Sequence, residues 1–201
     1  ALSIARENGM DVPEQPFVKG LNYISNSINS DDLDQNETAF AAYILAINNS
    51  LDEGFFLRSQ YRNVNSGNFE TRMFWTLAAI KSGYWSESNL KDTIRNNQHF
   101  RLASLSSANI DEVFNARYRG HAIGLLAFNA ADPKDKFTHR MAESLFQGFG
   151  SSGRWTSTSD TGWALYALGD YYSAQGSKNE PYSVKVTAGS DTVDTGIINS
   201  L

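Results

Sequence analysis

The sequence predicts an all-α fold of antiparallel helical hairpins that ends in a short β-hairpin. Apolar residues recur at helical spacing through most of the 201 residues. The connections between periodic segments are short and carry helix-capping residue types. Beyond Tyr172 the pattern changes from helical to alternating. Hydrophobic residues make up 41% of the chain and charged residues 19%, an ordinary globular balance with length for one main core.

Along the chain, Gly9 can supply a left-handed C-terminal cap to a first short helix. Phe40, Ile44, Ile47 and Leu51 follow at i, i+4, i+7, i+11 and are expected to face the core. Ser50 with Glu53 reads as an N-terminal capping pair for the next helix. Met73, Leu77, Ile80 and Tyr84 form a second stripe, closed by Gly83. Asn109 with Glu112 is another capping pair, opening the longer stripe Ile110, Phe114, Tyr118, His121, Leu125 and Phe128. Asp132-Pro133 is a further helix start, Phe137 to Phe146 is amphipathic, and Thr161, Leu165, Leu168 and Tyr172 form the last stripe. A chain that leaves one helix and re-enters another within a few residues packs beside it, so the unit is helix, turn, helix.

Ser173 to Glu180 is polar and linker-like. Tyr182, Val184 and Val186 then alternate before a Gly189-Ser190 turn and a second Thr/Val run, which predicts a β-hairpin. An isolated hairpin is marginal in water, so these residues read as the first edge of a following β-domain. The division is residues 1–176 for the helical domain and 177–201 for the linker and β-start. Within the helical part, Gly67-Asn68-Phe69 followed by Trp75-x-Leu77-x-Ala79 echoes Gly153-Arg154-Trp155 followed by Trp163-x-Leu165-x-Ala167. In stacked hairpins that echo puts a loop glycine and aromatic at the rim, with the Trp and Leu turned inward.

Several function classes are disfavoured. A net charge of -5, with no run among the 17 basic residues, argues against a nucleic-acid or anionic-membrane partner. The longest apolar stretch, Ala39 to Ile47, is far short of the roughly 20 residues of a membrane span. Gly148-Phe-Gly-Ser-Ser-Gly153 satisfies G-x-G-x-x-G, but it follows an amphipathic helix instead of a strand, and Arg154-Trp155 stand where a P-loop needs Lys then Ser/Thr. It reads as a flexible inter-helix loop. Asp32-x-Asp34-x-Asn36 mimics a calcium loop, yet Glu37 replaces the required Gly and Tyr43 the closing Glu. The cluster from Asp31 to Glu37 is therefore a solvated acidic helix entrance.

His99, His121 and His139 lack metal-site spacing, and His121, on an apolar stripe, is expected to be a hydrogen-bonded core residue and not a ligand. Gly-x-Ser-x-Gly is absent. Asn36-Glu37-Thr38 and Asn48-Asn49-Ser50 match glycosylation acceptors, a pattern frequent by chance in an Asn-rich chain.

The segment Gly153-Arg-Trp-Thr-Ser-Thr-Ser-Asp-Thr-Gly-Trp-Ala-Leu-Tyr-Ala-Leu168, then Tyr171-Tyr172 and Tyr182-Ser-Val-Lys-Val186, resembles the end of the thioester domain of alpha-2-macroglobulins and complement thioester proteins. There a Ser-Thr-x-x-Thr stretch opens the last helix; the matching residues are Ser157, Thr158, Asp160 and Thr161, followed by Trp163, Ala164 and Leu165. Ala1 to Gly9, Val12-Pro13 and Val18 to Ile28 are similar to a bacterial pattern in which a truncated helix leads through Gly-x-x-Val-Pro into the next hairpin. The resemblance spans residues 1 to about 187.

It implies an incomplete α/α toroid of concentric helical hairpins. It also implies a parent protein of the periplasm or cell envelope that traps proteases: bait cleavage triggers rearrangement, and a shielded Cys-Gln thioester acylates an attacking lysine. With Cys at 0, this chain holds no thioester, so the Cys-x-x-Gln segment lies upstream of Ala1 or has been lost. The histidine that directs acyl transfer in some members has no counterpart from Asn22 to Asn36. No catalytic, cofactor-binding or metal residue is carried over. The expectation is a non-enzymatic segment whose partners are the rest of its own parent chain and, for the intact protein, target proteases. The alternatives are an α/α-toroid enzyme, such as a glycoside hydrolase or cyclase, and a helical-repeat scaffold that binds a protein on its concave face.

Overall fold

The computed structural model describes residues 2–7, 9–30, 32–63, 68–86, 88, 118–149, 153–176, 182–188 and 191–198. Among them are eight helices: α1 (Leu2–Glu7), α2 (Glu14–Ile28), α3 (Gln35–Ile47), α4 (Glu53–Asn63), α5 (Phe69–Lys81), α6 (Arg119–Ala131), α7 (Lys136–Gln147) and α8 (Thr158–Ala174). The helical class follows the sequence. The backbones of β1 (Tyr182–Ala188) and β2 (Asp191–Ile198) pair antiparallel, with Tyr182 opposite Ile198 and a register shift after Val186. Asn109, Glu112, Ile110, Phe114, His99 and the Gly189-Ser190 turn lie outside the described residues.

The main packing interfaces join α3 to α5, α5 to α6 and α6 to α8, while α2, α4 and α7 each lie against this group over smaller surfaces. Burial follows the same division. On α5, ten of the eleven residues from Phe69 to Ala79, all but Arg72, are buried, and on α6 the run Ala122–Asn129 is buried throughout. On α7 only Thr138, Met141, Ala142 and Leu145 are buried, the single face expected of a peripheral helix. Alanine is frequent at the buried positions of α3, α6 and α8, which lets backbones approach closely where helices have neighbours on more than one side.

That crowding corrects two of the expected stripes. On α3 the buried residues are Ala39, Ala41, Ala42, Tyr43, Leu45 and Ala46, whereas Phe40 is 40% exposed at the edge and Ile44 and Ile47 are half-buried; of that expected stripe only Leu51, beyond the helix, is buried. On α8 the buried face is Asp160, Ala164, Ala167, Leu168 and Tyr171, and both Leu165 and Tyr172 point outward. A helix packed between helices buries its alanine positions beside a few large residues, here Tyr43, Leu45, Leu168 and Tyr171, and leaves other large apolar residues at the edge. Met73, Leu77, Leu125 and Phe128 are buried as expected.

Helix ends bear out part of the capping analysis. Gly9 and Gly83 have φ of +74° and +73°, and Gly9 N–H and Met10 N–H close α1 onto the carbonyls of Arg6 and Ala5. At α3 the stretch read as a solvated acidic helix entrance holds a capping pair that the sequence reading did not name: Asp34 and Glu37 form a reciprocal capping box. Two starts differ. Asp52, not Ser50, accepts from Phe55 N–H at 2.6 Å, and Asp135, not Asp132, accepts from Phe137 N–H at 2.7 Å. In each case the carboxylate nearest the first helical turn reaches its free amides, and the more distant candidate is left in the loop. Asn48-Asn49-Ser50 instead stops α3: Asn49 adopts φ 53°, and Ser50 N–H returns to Leu45 O at 2.8 Å.

The internal echo does not keep register. Asn68 caps α5 seven residues before Trp75, while Ser157 caps α8 six residues before Trp163. One residue turns a helix by about 100°. Trp75 and Leu77 are accordingly buried, whereas Trp163 is half-buried and Leu165 is 60% exposed.

Candidate functional site

The first turns of α3, α5, α6 and α8 are tied into one polar network. Asn68 Oδ1 accepts from Thr71 N–H at 2.8 Å, and Ser157 Oγ accepts from Asp160 N–H at 3.0 Å. Between helices, Asn36 Nδ2 donates to Glu70 Oε1 at 3.4 Å, and Thr71 Oγ1 donates to Asn36 Oδ1 at 3.2 Å. Arg119 pairs with Glu70, both side chains being nearly buried. Tyr118, at the start of α6, has no side-chain cap of its own and donates its N–H to Asp160 Oδ1 at 2.8 Å.

Four helix N-termini therefore meet at one rim. Their aligned peptide dipoles make it electropositive, and the buried carboxylates of Glu70 and Asp160 offset that potential. Asp160 also accepts from Thr156 Oγ1 at 2.6 Å. Both acids are engaged with the scaffold, so their role here is to join helices.

This assigns local work to the residues behind the family resemblance. Ser157 caps α8, Asp160 latches α8 to α6, and Thr161 Oγ1 donates to Ser157 O at 2.9 Å. Ala164 is buried, and Trp163 joins a ring cluster with Phe40 and Phe74, their centroids 6.2 and 5.8 Å from its own. Sequence reading recognised the stretch without seeing that Asp160 serves another helix.

The glycine-rich loop also has a packing reason. A Cβ at Gly148 would lie 2.5 Å from Tyr118 Cε1, so this glycine makes room for the ring at the start of α6. Trp155 Nε1 donates to Leu145 O at 2.9 Å, near the C-terminal end of α7, and its ring packs edge-on against Phe149 at 4.8 Å. The expected flexible loop is thus pinned at both of its described ends. Gly148→Ala is expected to destabilise the protein by about 1–3 kcal/mol through displacement of Tyr118, which a denaturant-midpoint shift will measure. Gly153→Ser, at an exposed loop position with φ +67°, tests backbone strain without that clash.

His121, expected as a hydrogen-bonded core residue, is only half-buried on α6 and makes no hydrogen bond among the described residues, and burial lowers its pKa below the ordinary imidazole value. The unfolded chain therefore takes up this proton first. Stability contributed by neutral His121 is complete above about pH 6.5 and declines as pH falls through that value toward the lower folded pKa. His121→Leu is expected to flatten this part of the curve, checked by urea midpoints at about pH 7.5 and 5.5 for both proteins.

His139 sits in a groove of about 500 Å³ between α7 and the end of α8. Its Nδ1 lies 2.7 Å from Tyr171 Oη, and its Nε2 lies 3.3 Å from Glu143 Oε1. Tyr171 is 3% exposed, and burial, with smaller contributions from Tyr172 and Glu143, raises its phenol pKa. Gln175 Nε2 donates to Pro133 O and joins the two walls. Among the described residues no group of three or more His, Asp or Glu is placed to hold a metal ion, and no helix is long and apolar enough to cross a membrane. Only the His139–Glu143 spacing of i, i+4 signalled the groove in the sequence; Tyr171 joins it through tertiary packing.

Comparison with protein-family models, curated proteins and solved structures returns no match.

Proposed function

We propose that the chain is a structural segment of the thioester-type helical domain of an alpha-2-macroglobulin-like protease-trapping protein, without the thioester itself. The observation that carries this reading is the Ser157–Leu168 motif at the start of α8, where its Ser and Asp are a helix cap and an inter-helix latch. The alternation of crowded helices, α3, α5, α6 and α8, with peripheral ones supports an incomplete α/α toroid in which the crowded set is the inner ring. In that arrangement 177–201 begins a following β-domain. The segment is non-enzymatic, acts with the remainder of its parent chain in an extracytoplasmic compartment, and helps to shield the bond from water.

The test is the in-frame sequence for about 150 codons upstream of Ala1, the span of the missing part of such a domain. A Cys-x-x-Gln stretch there, together with methylamine incorporation at its Gln in the intact protein, is the expected result. A reading frame that opens just before Ala1 overturns it. The glycoside hydrolase or cyclase reading requires acids free to meet a substrate, and the bonding of Glu70 and Asp160 weighs against it.

A further inference from the structure

We propose that the face of α8 carrying Trp163, Tyr166 and Asp170 docks an arginine side chain from one further helix of the parent chain. The source of that helix rests on the reading above; the arginine chemistry does not. The three residues stand at i, i+3 and i+7, share one side of α8 and are all half-buried. The Trp163 ring lies 6.3 Å from that of Tyr166 and 6.2 Å from that of Phe40 on α3, centroid to centroid. The face therefore opens between α3 and α8, the two ends of the packed series α3, α5, α6 and α8.

Asp170 supplies the charge that needs a partner. Its Oδ2 accepts from Asn129 Nδ2 at 2.7 Å, and it makes no ion pair among the described residues. Lys81, in the last turn of α5, forms no pair with it, and Arg119 is committed to Glu70. The next residue, Tyr171, points about 100° away around the helix, into the groove with His139. There Lys134, Lys136 and Arg140 are matched in number by Asp132, Asp135 and Glu143, so that side has no surplus cation to share. Asn129 Oδ1 adds to the negative potential, being buried without a donor and unable to change places with the Nδ2 that serves the carboxylate. A guanidinium suits this set better than an ammonium: it pairs with a carboxylate while its flat face stacks on a ring, and Tyr166 is one turn from Asp170.

Two glycines are an independent sign of close approach. Gly162 and Gly169 lie two turns apart on α8 beside this face, both exposed, and a Cβ at either would meet nothing within 4 Å. Each weakens the helix relative to alanine, and no packing among the described residues requires it. They leave bare backbone against which a second helix can lie, as the alanines do at the buried positions of α3 and α6.

The experiment titrates the full chain with the N-acetyl methylamides of arginine, lysine and citrulline, the last an uncharged isostere of arginine. The readout is the Trp163 indole N–H resonance, assigned with Trp163→Phe. Expected is a saturable shift with arginine, a weaker one with lysine and none with citrulline. Asp170→Asn keeps an acceptor for Asn129 and should lower arginine affinity at least about tenfold. In the intact parent the face is filled, so added arginine should not shift Trp163. Gly162→Gln with Gly169→Gln should raise the Tm of the chain alone, through helix propensity, and lower that of the intact parent. Citrulline or lysine binding as tightly as arginine, or an affinity unchanged in Asp170→Asn, overturns the arginine site. Arginine still shifting Trp163 in the intact parent, or a Tm that rises in both proteins, overturns the parent helix as its occupant. A reading frame that opens just before Ala1 defeats the parent reading and with it that occupant, while the titration of the chain alone still decides the arginine site.

Discussion

Replacing Glu70 by alanine is expected to lower the unfolding free energy by about 3–5 kcal/mol, because it strips a nearly buried guanidinium of its carboxylate. The same substitution removes the acceptor that Asn36 uses from α3, so the loss reaches three helices at once. Guanidinium denaturation will measure it as a lower midpoint with little change in slope. Glu70→Leu combined with Arg119→Met should recover most of the loss, since the cost arises from an uncompensated charge and not from a large net gain by the pair. An effect of Glu70→Ala below about 1 kcal/mol would place the pair in solvent and contradict the packing of the rim.

Asp160→Ala is expected to cost about 2–5 kcal/mol. The carboxylate is fully buried and accepts from Tyr118 N–H and Thr156 Oγ1, so its removal leaves two donors without their partner. Asp160→Asn should lose less, because its amide oxygen can still accept from Tyr118 N–H and the Thr156 hydroxyl can reverse its role. The two rim substitutions should not add. Arg119 and Tyr118 are adjacent at the start of α6, so Glu70→Ala and Asp160→Ala disturb the same turn, and a double-mutant cycle should show a coupling term beyond the usual scatter of about 0.5 kcal/mol.

The two acids differ in how legible they were. Asp160 stands three residues after Ser157, a spacing that marks a helix start in any sequence, and that local feature is what the family resemblance shares. Its bond to Tyr118 spans 42 positions and has no local trace. Glu70 looked like any acidic residue in a first turn, where exposure is the rule; only Arg119, 49 positions away, makes its burial tolerable. Gly148 was read through a phosphate-loop pattern, although its neighbour is the Tyr118 ring. The groove residues come from two separate stretches, 133–143 and 171–175, and Tyr171 has no reason in sequence to be set beside His139.

What the sequence by itself determined is the helical class and the left-handed caps at Gly9 and Gly83. These depend on interactions within one or two helical turns, where spacing in the chain is spacing in space. The tertiary structure decided which face each helix buries, which carboxylates lie inside, and which cations share a groove. On α3 and α8 it chose alanine over Phe40 and Leu165, because a helix with neighbours on more than one side is limited by the distance between backbones, a quantity that no single helix encodes.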